Sequence, residues 1–157
     1  MLLVAPLAPA DIDAALALVL QPRVREPLFA GPPLTPDGLR QRAYFVARLA
    51  PQGPLVGLLG LHAEGLSYAI EPALWGRGLG RELLATACHT LAPAAGLRRL
   101  QALVQRNNLR SRRLLERTGF RFCGLRQLPR GAVLRYEQPL PNPARPAAAG
   151  PQPHPEP

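Results

Sequence analysis

Lysine is absent. All 19 residues counted together as Lys and Arg in this 157-residue chain are arginine. Two mechanisms are thereby excluded: a phosphate loop of the nucleotide-hydrolase type needs a lysine beside its last glycine, and a Schiff base needs a lysine amine. Cysteine is scarce. Cys88 and Cys123 are too few for a disulfide framework and fall in no C-x-x-C or Cys/His spacing that would hold zinc, so both read as reduced, buried small hydrophobes, and no metal is expected. Long apolar runs are missing too. The longest near the N-terminus, Ala14 to Leu20, falls far short of the ~20 residues that span a bilayer, and no basic segment precedes it. A cytoplasmic, soluble protein with no membrane partner is expected.

What is present fits one domain: a hydrophobic fraction of 47% is enough to bury a core at this length. The formal charge of +9 would ordinarily point to nucleic acid or another anionic surface. Complete replacement of Lys by Arg, with 20 Pro and many Ala, reads instead as a bias of the whole sequence, and no specific nucleic-acid partner is expected. Some arginines should still meet phosphate, which a planar guanidinium pairs bidentately.

Taken in order, Leu2-Leu3-Val4 reads as a short strand, and Pro9 to Leu20 as a helix with Asp11 and Asp13 in its first turn, ended by Pro22. A loop is expected from Pro22 to Pro36, then a short helix with Thr35 as N-cap and Pro36 in its first turn. Tyr44 to Leu49, Leu55 to His62 and Leu66 to Ile70 follow as strands of an antiparallel meander. Leu79, Leu83, Leu84, Ala87, Cys88 and Leu91 make a helical stripe that Pro93 and Gly96 should end. Arg99 to Gln105 alternates as a strand, Asn108 to Gly119 reads as a capped helix, and Phe120 to Leu125 and Val133 to Gln138 form a last hairpin. Residues 1–140 make the domain, and the Pro-rich tail 141–157 is expected to be disordered.

The chain is organised around Trp75-Gly76-Arg77-Gly78-Leu79-Gly80-Arg81, a glycine turn between a strand and a helix that aims backbone N–H groups at one spot and so suits an anion. The pattern x-x-Arg-Gly-x-Gly resembles the acetyl-CoA pyrophosphate loop of the GNAT superfamily of N-acetyltransferases. A second resemblance lies about 30 residues on, in Asn108-x-x-Ser111 followed by Gly119-Phe120. The Trp-Gly-Arg-Gly form looks most like the branch of ribosomal-protein N-terminal acetyltransferases. The likeness covers about residues 54 to 125.

The resemblance implies an α/β GNAT fold, a mixed and mostly antiparallel sheet of about seven strands flanked by about four helices. It also implies direct transfer of the acetyl group of acetyl-CoA to a primary amine, either a protein N-terminus or a small molecule. The cofactor pyrophosphate would sit on the N–H groups of Gly76, Arg77, Gly78, Leu79, Gly80 and Arg81, with Arg77 and Arg81 adding charge. The backbone of Tyr68, Ala69 and Ile70 would pair with the pantetheine arm and polarise the thioester carbonyl, and Asn108 would bind the arm from the other side. Many members carry a Tyr seven residues after that Asn as the acid; here the position is Leu115. Ser111 is the nearest replacement, with Tyr68 and Tyr136 as further candidates. For the base, Glu64 is preferred, with His62 and Glu71 beside it. The missing Tyr leaves open a non-catalytic acyl-CoA-binding module, and the arginine cluster on the later helix a basic nucleic-acid-binding domain. The assembly is expected to be a monomer or homodimer.

Overall fold

The computed structural model describes residues 1–25, 34–63 and 65–141. Seven strands form one sheet: β1 (Leu3–Pro6), β2 (Ala43–Arg48), β3 (Leu55–His62), β4 (Gly65–Ile70), β5 (Arg99–Val104), β6 (Arg121–Leu128) and β7 (Gly131–Pro139), in the order β1-β2-β3-β4-β5-β7-β6. Neighbours are antiparallel except β4 and β5, which are parallel. A parallel pair needs a crossover. Here it is supplied by α4 (Leu79–Thr86), a wide π turn (Ala87–Leu91) and α5 (Ala92–Ala94), which run as one rod. The remaining helices are α1 (Ile12–Leu20), α2 (Pro22–Arg25), α3 (Pro36–Gln41) and α6 (Leu109–Arg117). The mixed, mostly antiparallel α/β sheet is the one expected.

The sheet is covered on both sides, which is why β3 is buried continuously from Val56 to Leu61. Side chains alternate across a strand. On one face Tyr44, Val46, Leu58 and Ala69 pack with Ile12, Leu18 and Val19 of α1 and Leu39 of α3. On the other, Leu59, Leu66 and Ile70 pack with Leu83 and Leu84 of α4 and Leu115 of α6.

Local chemistry sets the helix ends. Thr35 Oγ1 accepts from the Gly38 N–H at 3.1 Å, with Pro36 following in the first turn, as a cap requires. Asn108 Oδ1 accepts from the Ser111 N–H at 3.2 Å, and Gly119, at φ 98°, takes the left-handed turn that ends α6.

Three expectations change. Pro22 starts α2 rather than only ending α1, because proline's missing N–H costs nothing in a first helical turn; residues 26–33 of the expected loop lie outside the described residues. Pro93 does not stop its helix: the π turn resets the hydrogen bonding, so Pro93 falls in the first turn of α5, and the chain turns off at Gly96 (φ 77°). Cys88 is buried, its thiol pushed up to about 11 by burial, but Cys123 is exposed because β6 is the edge strand. The Pro-rich tail lies outside the described residues from 142 onward. No helix among the described residues is long and apolar enough to cross a membrane.

Candidate active site

The parallel pair β4–β5 is joined only at Gly65↔Gln101 and Leu66↔Ala102. Beyond Leu66 the two strands part, leaving a gap beside the rest of β4. Which backbone groups face it follows from the register. The Glu71 N–H donates to the Val56 carbonyl at 2.8 Å, so the alternation of an antiparallel ladder turns the backbone of Ala69 and Ser67 toward β3 and that of Tyr68 and Ile70 toward the gap. Of the three β4 residues read from the sequence as arm-binding, Tyr68 and Ile70 thus border the gap with their main chain, while Ala69 is buried against α1.

The glycine turn lies at the end of this strand. Gly76 (φ 82°) and Gly78 (φ 80°) have left-handed backbones, and a Cβ added to either would meet nothing within 4 Å; the glycines are needed for conformation, and the space above them is open. Gly78 caps α4, whose first helical bond runs from the Glu82 N–H to the Gly78 carbonyl at 3.1 Å. The amides of Leu79, Gly80 and Arg81 precede that bond and have no partner within the helix, so they and the helix dipole favour an anion. Gly80 has a different reason: a Cβ there would lie 2.8 Å from Leu114 Cδ2, so it lets α4 and α6 approach. Arg77 and Arg81 are exposed beside the turn.

Helix α6 brings Ser111 against β4. The Ser111 and Tyr68 hydroxyls are hydrogen-bonded, and burial raises the Tyr68 pKa, with the Ser111 bond and the Arg110 charge opposing. Tyr68 is therefore a neutral phenol at pH 7. Leu115, seven residues after Asn108, is 1% exposed and belongs to the core. Tyr136 is equally buried; its hydroxyl donates to Glu116 Oε1 at 2.9 Å on the far side of α6, away from the gap.

On the opposite face, His62 Nε2 lies 3.2 Å from Ser67 Oγ, and its ring meets Tyr44 edge-on. Its Nδ1 is buried with no partner. Burial, reinforced by the Arg42 charge, lowers the imidazole pKa below 6.5, so the ring is neutral near pH 7. Glu64 lies outside the described residues. Glu71 Oε2 accepts from Gln21 Nε2 at 2.8 Å.

One feature was not legible as a site residue in the sequence. The Trp75 indole N–H donates to the Ile70 carbonyl at 2.8 Å, at the mouth of the gap, while Arg110 Cζ of α6 stands 3.2 Å and Arg23 Cζ of α2 4.6 Å from the ring centroid. Their separation in the chain gives no local signal. Two cavities, of about 320 and 600 Å³, lie elsewhere, against the β6–β7 hairpin; the gap is marked by strand geometry.

No curated protein sequence matches the chain. Among solved structures it is similar to aminoglycoside acetyltransferase AAC(6')-Ib in complex with coenzyme A, with TM-score 0.72 and 16% identity over 88% of this chain and 95% of that one. It is also similar to spermidine N-acetyltransferase from Vibrio cholerae in complex with CoA and spermine, with TM-score 0.75 and 20% identity over 88% and 95%. An acetyltransferase of the GNAT family from Streptococcus pneumoniae aligns with TM-score 0.68 and 22% identity over 90% and 100%. At such identities the likeness establishes the fold. The family model of the acetyltransferase (GNAT) domain matches residues 1–121, a span that holds the gap, the glycine turn and the Asn108–Ser111 cap. This chain belongs to the GNAT acetyltransferase family.

Proposed function

We propose that the chain is an acetyl-CoA-dependent N-acetyltransferase that acts on a primary amine in a ternary complex. The observation that carries this reading is the gap beside β4, with two strand residues facing it and an anion-suited glycine turn at its end. Acetyl-CoA supplies an acetyl group activated as a thioester. The open left-handed turn suits its pyrophosphate: the free amides of Leu79, Gly80 and Arg81 donate to it, and the guanidinium groups of Arg77 and Arg81 add charge. Gly76 and Gly78 keep the approach free of side chains. The Tyr68 and Ile70 N–H groups bind the arm and polarise the thioester carbonyl. Asn108, whose Oδ1 caps α6, has its NH₂ available for the arm.

The two proton-handling groups then fall on opposite faces of β4. Neutral His62, steadied by Ser67, takes the proton of the attacking amine. The Tyr68 phenol, oriented by Ser111, gives a proton to the leaving thiolate. Positioning does the rest, as suits a reaction between two bound substrates. Spermidine and aminoglycosides, named for two of the similar structures, are both amines, which supports an amine acceptor. The likeness to the protein N-terminal branch rests mainly on the form Trp75-Gly76-Arg77-Gly78.

Calorimetric titration with acetyl-CoA should give saturable binding, and release of free thiol should then appear with a panel of amines and N-terminal peptides. No binding at millimolar acetyl-CoA overturns the reading. Binding without thiol release from any acceptor assigns the chain to acyl-CoA sensing instead.

A further inference from the structure

We infer that the acceptor amine carries an acidic group, a carboxylate as in an amino acid, and that Arg23, Trp75 and Arg110 form the subsite that receives it. This rests on the reading above. Two guanidinium groups from separate elements, α2 and α6, converge on one indole, and Arg23 acts on Arg110 as a like charge. The indole face attracts each guanidinium, the two repel one another, and an anion between them would relieve that repulsion. Among the described residues no carboxylate acts on Arg110, whose titratable neighbours are Tyr68 and Arg23. Glu71, on the chain just before Trp75, is held by Gln21 at 2.8 Å. Asp11 is paired with Arg48, Asp37 with Arg40, and Glu137 with Arg135.

The position is informative as well. Trp75 packs against the cores of both sheet faces and bonds the last residue of β4, so the stack stands at the gap's mouth, and Arg23 reaches it from the N-terminal helices, on the side away from α4 and α6. On that side Arg42 adds a further positive field, felt by both His62 and Tyr44. The guanidinium groups of Arg23, Arg110 and Arg42 would repel a polycationic amine. An amine with a carboxylate would place that group in a guanidinium fork, stacked on the indole, with its nitrogen free to reach the gap.

The test compares each acceptor with and without its acid: alanine against alaninamide, and phenylalanine against phenylalaninamide, by thiol release. The amides carry the less basic nitrogen and would be the better acceptors on reactivity alone. The expected result is KM lower by roughly tenfold or more for the acids, the size of one charge-assisted contact. Arg23→Ala should abolish that ratio, Arg23→Lys should restore part of it, and acetyl-CoA affinity should stay within about twofold, since only acceptor contacts change. Arg117→Ala, with the same loss of net charge elsewhere, should leave the ratio intact. Equal or better use of the amides overturns the inference. So does an Arg23→Ala variant that loses acetyl-CoA affinity while keeping the ratio, because the anion would then be a cofactor phosphate. A second readout needs no turnover. Trp75 is the single tryptophan, so its emission, with acetyl-CoA bound, should change on titration with alanine but not alaninamide. No change with any acid overturns the inference even if other amines are acetylated.

Discussion

At the scale of single residues, the division of labour across β4 gives separable consequences. Tyr68→Phe removes the proposed proton donor but not the aromatic packing; kcat should fall by about 10²-fold, a usual size for a general acid, with acetyl-CoA affinity nearly unchanged in calorimetry. Ser111→Ala should cost less, since it orients the phenol rather than donating itself. For His62 the sign follows from a pKa held below 6.5 by burial and then by the Arg42 charge. A base of this kind fails only as the pH drops through that lowered value. The rate profile should therefore be level near neutrality with its acid limb below 6.5, and His62→Asn should lose both the limb and most of the rate. The same ring contributes stability that is complete above 6.5 and is lost as the pH falls through the folded-state pKa, which thermal melts at stepped pH would show in the native protein but not in the variant. Gly78→Val, forced to φ 80°, should abolish acetyl-CoA binding; retained affinity would remove the loop assignment.

At the scale of elements, α6 matters most, because its nine residues carry Arg110 and Ser111 and Asn108 caps it. Its docking depends on Leu115, 1% exposed among Leu83, Leu84 and Phe120. Leu115→Ala should cost about 2–5 kcal/mol in denaturant unfolding, the usual range for such a cavity. It should also loosen the Tyr68–Ser111 bond, so the remaining folded protein should turn over more slowly. What could be read from sequence at this scale was whatever local chemistry sets. Thr35, Asn108 and Gly119 announce helix ends because caps act within a few residues, and β3 announces burial through its unbroken apolar run. The case of Pro93 has the same root: proline signals a stop locally, but the π turn before it changes the bonding register. Contacts distant in the chain were illegible. Ser111 meeting Tyr68 across 43 positions, or Arg23 and Arg110 meeting on Trp75, depend on how α2 and α6 dock, which no periodicity specifies.

At the scale of the whole molecule, the sheet consists of two antiparallel blocks, β1–β4 and β5–β7–β6, joined along a seam of two residue pairs. A ligand in the seam binds only the folded form, so saturating acetyl-CoA at about 100 times Kd should add about 2.7 kcal/mol. In a chain of this length that corresponds to a melting shift of roughly 5–10 °C, readable by scanning calorimetry. Gly80→Val, pressing on Leu114, should lower the melting temperature even without ligand. The seam also sets a clock. Tyr68 and Ile70 belong to a central, buried strand, yet their amides face the gap rather than a neighbouring strand. Hydrogen–deuterium exchange should therefore report these two at the pace of local solvent access, with Ala69 between them slow at the pace of sheet opening. Acetyl-CoA should bring all three to the slow rate, making a single alternating triplet a timer of cofactor residence.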